Sequence, residues 1–183
     1  MAGRPLALAH PDWLYQELTV TGEERPLRQF QAAATGAGVI PWVLDYDRLE
    51  EDWFHLLVTP SRVRTLSLPG ARALARQLRE AVWERHEEAV AGVGSARFCP
   101  FDLHALVPVP RRILRLGPDE PESRAWLWEN WGTTWPPRHV RRLPGPPRSL
   151  RCGFWTADWT PWRALQAIRQ RYPALRFAVR VVY

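Results

Sequence analysis

Two short segments with strand-like alternation are each followed by an amphipathic helix, one near each end of the chain. Residues 14–21 alternate and end in β-branched side chains, and residues 23–34 then place apolar residues on one helical face. Residues 150–155 precede the helical pattern of residues 161–172, and residues 175–182 return as a strand. Such units pack helices against one face of a sheet, so the pattern predicts an α+β fold.

Between these units, residues 40–95 indicate a helical insertion. Apolar residues follow helical spacing over residues 45–58 and 70–91, and Ser67 with Pro69 is typical of a helix start. We expect the two helices to pair and to pack Trp53 and Leu78 inward. The predicted fold is a single domain over residues 1–183. It comprises a ferredoxin-like antiparallel sheet, two packing helices and a helical insertion at about residues 40–95.

The segments that remain are rich in proline. Residues 98–109 are predicted to be extended, because Pro108 and Pro110 are incompatible with a helix interior. Residues 120–128 are predicted to form a short helix. Residues 131–147 carry five prolines around several arginines and are predicted to form a loop.

Length and cysteine content narrow the class of protein. The chain has 183 residues and contains no apolar run near the roughly 20 residues that a membrane span requires. Residues 1–10 lack a long apolar stretch, so we expect no secretory signal. Cys99 and Cys152 are too few for a disulfide framework. We therefore expect a cytoplasmic protein with two free thiols.

Two features of the composition are relevant to ligand binding. All 25 basic residues are arginine, and the formal charge is +6. A coding bias toward arginine is one explanation. The functional alternative is a surface that binds phosphate or carboxylate through guanidinium groups. The chain also has 11 tryptophans, which build a core, a recognition face or both.

Several motifs resemble one bacterial family. Trp126 to Trp135 reads WLWENWGTTW, and further similar stretches are residues 11–22, 106–110, 154–161 and 172–177. Together they resemble the YubB ferredoxin-like family over most of the chain except about residues 39–97. The resemblance implies a ferredoxin-like fold and a setting on a bacterial plasmid or phage. That family has no established activity, so the resemblance implies no reaction.

The Asn-Trp-Gly-Thr segment is the strongest candidate site. Gly132 permits a positive φ, and amide and hydroxyl side chains can shape a loop that presents aromatic rings to a base or a peptide. The predicted ligand- or partner-binding residues are Trp128, Asn130, Trp131, Thr133, Trp135 and Trp159. The alternative is that the polar residues fasten the loop to the sheet while the tryptophans fill the core.

Arginines follow this segment closely. The predicted phosphate or nucleic-acid contacts are Arg138, Arg141, Arg142, Arg148 and Arg163. Arg163 lies near the start of the last helix, where Thr160 is a candidate cap and an anion could bind. Arginines interleaved with aromatic residues are typical of single-strand or RNA surfaces. The alternative is an ordinary solvated face.

No catalytic motif is present in the sequence. Nucleophile-elbow, zincin and phosphate-cradling patterns are absent, so no catalytic residue, metal or cofactor is predicted. A carboxylate–histidine metal site from Asp52, His55 and His86 would need a helix register that the sequence does not specify. We expect a non-enzymatic accessory protein of a bacterial mobile element that contacts nucleic acid or a host protein, for example a host-defence inhibitor. The alternative is an enzyme acting on nucleic acid or nucleotides near residues 130–133.

Overall fold

The structure is a computed structural model that describes residues 12–59, 66–95 and 98–182. Residues 1–10 and Pro11 of the first family-like stretch lie outside the described residues. Within these ranges the chain forms four strands and seven helices. Their order is β1 (Trp13–Thr21), α1 (Glu24–Ala34), α2 (Tyr46–Val58), α3 (Leu68–Ala91), α4 (Leu103–Leu106), α5 (Arg111–Leu114), α6 (Pro121–Trp131), β2 (Arg138–Leu143), β3 (Ser149–Ala157), α7 (Trp162–Arg171) and β4 (Arg176–Val182).

The four strands form one antiparallel sheet in the order β2-β3-β1-β4. The central strands pair along their full length, with Tyr15 opposite Trp155 and Glu17 opposite Gly153. Strand β4 pairs with the other edge of β1, which places Arg180 opposite Glu17. With the connecting helices α2–α6 set aside, the chain order is β-α-β-β-α-β. The predicted α+β class is therefore confirmed.

One face of the sheet is covered. The alternation of β1 directs Leu18 and Val20 to this side, and β3 adds Phe154. Helix α1 buries Leu27 and Phe30 in the same core. Helix α7 contributes Ala164, Leu165 and Ile168, and the connecting segments contribute Phe101, Leu103, Leu106, Ile113, Leu127 and Trp131. This continuous core fixes the positions of the strands, and therefore of the side chains on the opposite face of the sheet.

Helices α2 and α3 pair with each other as the sequence predicts. The N-cap is Ser67, whose hydroxyl accepts a hydrogen bond from the Gly70 N–H. Trp53 is half-buried, but the prediction that Leu78 packs inward is wrong, because that side chain is 39% exposed. Polar contacts explain the difference: α2 meets the row of α3 that carries Arg72, Arg79 and His86. Leu78 belongs to the neighbouring row.

Two local predictions are wrong. The stretch predicted to be extended contains α4, because the Asp102 carboxylate accepts hydrogen bonds from the His104 and Ala105 N–H groups and starts a helical turn. The predicted loop over residues 131–147 contains β2, an edge strand whose arginines hide the usual apolar alternation. Trp162, at the start of α7, is 49% exposed. No helix in the described ranges is both long and apolar enough to cross a membrane.

Candidate nucleic-acid interface on the open face of the sheet

The central tryptophan of the Asn-Trp-Gly-Thr segment is part of the core. Trp131 is 0% exposed, and its indole N–H donates to the Val107 carbonyl at 2.9 Å. Helix α6 ends immediately afterwards because Gly132 adopts a left-handed conformation, with φ 79°. The prediction that Trp131 contacts a ligand is therefore wrong: a short helix with a glycine end turns this ring inward, where its one polar group is satisfied.

The polar residues of the same segment are also used internally. The Thr133 hydroxyl is buried and donates to the Ala157 carbonyl at 2.9 Å, which fastens the segment to the end of β3. The prediction of ligand contact by Thr133 is wrong for that reason. The half-buried Asn130 donates its amide to the Trp126 carbonyl at 2.8 Å, one turn earlier in α6. This geometry favours the alternative in which these side chains are scaffold.

The structure brings two of the predicted aromatic residues together. The rings of Trp128 and Trp159 meet edge to face with centroids 6.4 Å apart, and Trp159 is 49% exposed. The half-buried Trp135 lies elsewhere, against the guanidinium of Arg138. Ligand contact by Trp128, Trp135 and Trp159 stays a prediction.

The five predicted arginines do not form one surface. Arg141 and Arg142 are consecutive in β2 and therefore point to opposite faces of the sheet. Arg148 lies in the hairpin between β2 and β3 with φ 58°. The Arg163 guanidinium donates to the Glu129 carbonyl at 3.1 Å, near the end of α6 where a cation is favourable. Arg163 thus joins α7 to α6, which counts against the predicted phosphate contact.

The sheet face opposite the helices carries a second aromatic group. We call it the open face and define it by the outward positions of the strands: Trp13, Tyr15, Glu17, Thr19, Arg138, Arg141, Arg151, Gly153, Trp155, Ala178 and Arg180. Tyr15 and Trp155 are cross-strand partners in the two central strands, with ring centroids 5.3 Å apart. Trp155 is 38% exposed.

Gly153 explains how the Tyr15 ring lies on the sheet. A Cβ atom at this position would collide with the Tyr15 hydroxyl, so no residue larger than glycine fits beneath the ring. The phenol can therefore lie across β3 instead of standing away from the sheet. The result is a tyrosine and a tryptophan side by side at the centre of the face.

Arginines border these rings on the β2 side. The Arg138 guanidinium lies between two indoles, 4.5 Å from the Trp13 centroid and 5.4 Å from that of Trp135. Arg141 lies 5.9 Å from the Tyr15 centroid. Both side chains are exposed, and neither has a carboxylate within ion-pair distance in the part of the chain that the structure describes. Both guanidinium groups remain available to an anion.

The β4 side of the open face is electrostatically different. Glu17 accepts from Arg180 at 2.8 Å and from Arg151 at 3.1 Å, both on its Oε2 atom. The hydrogen bond from Arg180 lowers the pKa of Glu17 most, with Arg151 adding to the effect, so the carboxylate is ionised at neutral pH. Positive charge is therefore unpaired along β2, whereas beside β4 two arginines share one carboxylate.

Sequence reasoning missed most of this surface. Trp13, Tyr15 and Glu17 occupy alternate positions of β1, which is the signal for one shared face. What the sequence lacks is the register that sets Tyr15 opposite Trp155 and brings Arg138 and Arg141 alongside. The conspicuous Asn-Trp-Gly-Thr segment drew attention to the other side of the sheet.

The remaining reactive groups are structural. Burial raises the pKa of Cys99 to about 11 and that of Cys152 to about 12, and both are free thiols as predicted. Burial lowers the pKa of His104, whose Nδ1 accepts from the Val109 N–H at 3.3 Å. No group of three His, Cys, Asp or Glu side chains among the described residues could hold a metal ion. The site considered for Asp52, His55 and His86 is not formed.

Comparisons with known proteins give information about the fold only. No protein-family model matches the sequence, and no curated protein matches it. Among solved structures, the crystal structure of a protein api92 from Yersinia pseudotuberculosis, described by the family model DUF1281, is similar with a TM-score of 0.50. The alignment covers 94% of this chain and 90% of that chain at 14% sequence identity. At that identity the similarity supports the α+β architecture and carries no function.

Proposed function

We propose that this chain is a ferredoxin-like, non-enzymatic accessory protein of a bacterial mobile element that binds single-stranded nucleic acid on its open face. The β-α-β-β-α-β order and the strand order β2-β3-β1-β4 support the ferredoxin-like assignment. The resemblance of residues 126–135 to the YubB family supports the mobile-element setting. Two buried free thiols suit a reducing compartment, which favours the cytoplasm.

The observation that carries the proposal is the juxtaposition of Tyr15 and Trp155 with unpaired arginines. Aromatic rings on a flat surface stack with the faces of unpaired bases, at roughly 1–3 kcal/mol per base. Sheets with aromatic residues on neighbouring strands are a common way to bind RNA. Here the two rings are cross-strand partners with centroids 5.3 Å apart, which offers adjoining surfaces to successive bases.

The charge distribution sets the direction of the strand. Phosphates are attracted to Arg138 and Arg141, which have no carboxylate partner in the described residues. On the β4 side, Glu17 offsets part of the positive charge of Arg151 and Arg180, so phosphates are attracted less strongly there than to the unpaired arginines of β2. The sugar-phosphate backbone therefore runs beside β2, and the bases point over Tyr15 and Trp155 toward β4. A duplex fits poorly, because its base faces are already stacked on one another.

A second candidate function is contact with a host protein through a separate aromatic group. Trp159 and Trp162 are each 49% exposed, and the Trp128 ring packs against Trp159. Exposed tryptophans are enriched at protein interfaces, so this group favours a host-protein partner, including the target of a host-defence inhibitor. The geometry does not support an enzyme site at residues 130–133. The side chains of Asn130, Trp131 and Thr133 donate their hydrogen bonds to backbone carbonyls of the protein itself.

Fluorescence anisotropy with a labelled single strand of roughly ten nucleotides tests the proposal. Trp155→Ala should weaken binding by about 5- to 100-fold, and Trp155→Phe should retain much of the affinity because it keeps an aromatic face. Trp83→Ala is the matched control, since Trp83 is 50% exposed on α3, away from the sheet. It should leave the affinity unchanged.

Two patterns of binding would contradict the proposal. One is that the single strand binds equally well to Trp155→Ala but is released by added salt. Binding would then result from the net charge of +6 and not from the open face. The other is equal affinity for a duplex of the same length and sequence. Absence of binding at low salt would also exclude the proposed function.

A further inference from the structure

Glu17 lies where a base placed beside Tyr15 would meet it. The two residues are separated by one position in β1, so their side chains leave the same face about 7 Å apart. Glu17 lines a shallow pocket with Thr19, Pro146, Arg151, Ala178 and Arg180. Apart from the two arginines, the lining side chains are small or medium-sized, so the pocket stays open to a planar ring.

The two carboxylate oxygens of Glu17 differ in their hydrogen bonding. Both arginine partners donate to Oε2, from Arg180 at 2.8 Å and from Arg151 at 3.1 Å. The Oε1 atom accepts no hydrogen bond from the described residues. The ion pairs therefore fix the carboxylate and leave Oε1 without a donor among the described residues. An ionised carboxylate accepts hydrogen bonds only and cannot donate one.

We propose that Glu17 is a specificity-determining residue that selects a base with an amino group on its Watson–Crick edge over uracil or thymine. This inference rests on the proposed function of the open face. Cytosine presents its 4-amino hydrogens to Oε1, as adenine and guanine present theirs. Uracil and thymine present a single imide N–H between two carbonyl oxygens, and those oxygens repel the carboxylate.

Oligomers of deoxycytidine and deoxyuridine of equal length isolate this contact. The two bases have the same ring size and differ at the edge that Glu17 reads, and slightly alkaline buffer keeps cytosine uncharged. We expect the wild-type protein to bind the cytidine oligomer tighter by about ten-fold. Glu17→Gln should reduce the ratio to about two-fold or less, because the amide also donates and so accommodates the uracil carbonyl.

The ratio of the two affinities is the readout, because Glu17→Gln also releases Arg151 and Arg180 and so raises affinity for any strand. Glu122→Gln is the matched control: it removes one charge from the Arg112–Glu122 ion pair, at 3.0 Å, and frees an arginine away from the sheet. It should leave the ratio at its wild-type value. A change of ratio in this control would assign the effect to net charge and overturn the inference.

The outcomes separate this inference from the proposed function. Tight binding of both oligomers with equal affinities, still reduced by Trp155→Ala, would overturn base selection by Glu17 and leave the open face as a binding surface. Failure of both oligomers to bind would overturn the two proposals together. A deoxyuridine preference in the wild-type protein would contradict the assigned role of Oε1.

Discussion

The two faces of the four-stranded sheet use the same residue types in opposite ways. On the covered face, aromatic rings such as Phe30 and Phe154 are fully buried, and Trp131 joins the same core with its N–H satisfied. On the open face, Tyr15 and Trp155 lie side by side at the surface. Burial of aromatic area stabilises the first group, whereas the second leaves aromatic area available to a partner.

This difference separates a prominent motif from a functional surface. The Asn-Trp-Gly-Thr segment is the most distinctive stretch of the sequence, yet its central tryptophan and threonine hold the fold together. The candidate binding residues lie at alternate positions of ordinary strands. A high density of tryptophan therefore indicates neither core nor site until the register of the sheet is known.

The largest expected effect belongs to the covered side. Trp131→Ala should lower the free energy of unfolding by about 3–5 kcal/mol, because it removes a fully buried ring and leaves a cavity. Thermal unfolding should shift downward by on the order of 10 °C for a chain of this size. The affinity of the folded protein for single strands should not change.

Trp83→Ala provides the stability control, since Trp83 is half exposed on α3. Its effect should lie within about 0.5 kcal/mol. A loss of affinity on Trp131→Ala, measured where the variant is folded, would mean that the two faces are not independent.

A smaller loss is expected at Thr133. Thr133→Val keeps the shape of the side chain and removes the hydroxyl, so the Ala157 carbonyl keeps only the Trp159 N–H as a donor at the end of β3. The free energy of unfolding should fall by about 0.5–1.5 kcal/mol in urea titrations. Asn130→Ala should cost no more than this, because the side chain is half-buried. Unchanged stability in both variants would remove these residues from the scaffold.

The fold was largely predictable from the sequence. The strand over residues 14–21 and the helix over residues 23–34 match β1 and α1 within one residue at each start, since the spacing of apolar residues is a local signal. Strand β2 was not predictable in the same way. Its sequence Arg-His-Val-Arg-Arg-Leu has little apolar alternation, because an edge strand beside an uncovered face needs few buried residues.

The candidate site was less predictable than the fold. Arg138 and Arg141 were identified from their proximity to aromatic residues in the sequence, and the structure places both on the open face. Arg142 was grouped with them, although strand alternation turns it to the opposite face. Trp155 and Arg180 join Tyr15 and Glu17 only through antiparallel pairing over long sequence separations, which no local pattern encodes.

The smallest effect is electrostatic and distinguishes the two faces of strand β2. Arg141→Ala should reduce the slope of log affinity against log salt by about 0.7, the value for one phosphate contact in a single strand. Arg138→Ala should act similarly. Arg142→Ala is the internal control, because it removes the same charge from the opposite face of β2. Titrations between about 50 and 200 mM salt measure these slopes. Equal reductions for Arg141→Ala and Arg142→Ala would show that net charge alone governs binding.

Ultraviolet cross-linking followed by peptide mass spectrometry tests the central claim most directly, because it identifies which aromatic side chains touch the bases. The protein is irradiated with a bound single strand, and the cross-linked peptides are assigned. We expect cross-links in β1 and β3, at Tyr15 and Trp155, which are cross-strand partners on the open face. Cross-links confined to Trp128, Trp159 or Trp162, with none in β1 or β3, would contradict the assignment of the open face as the binding surface.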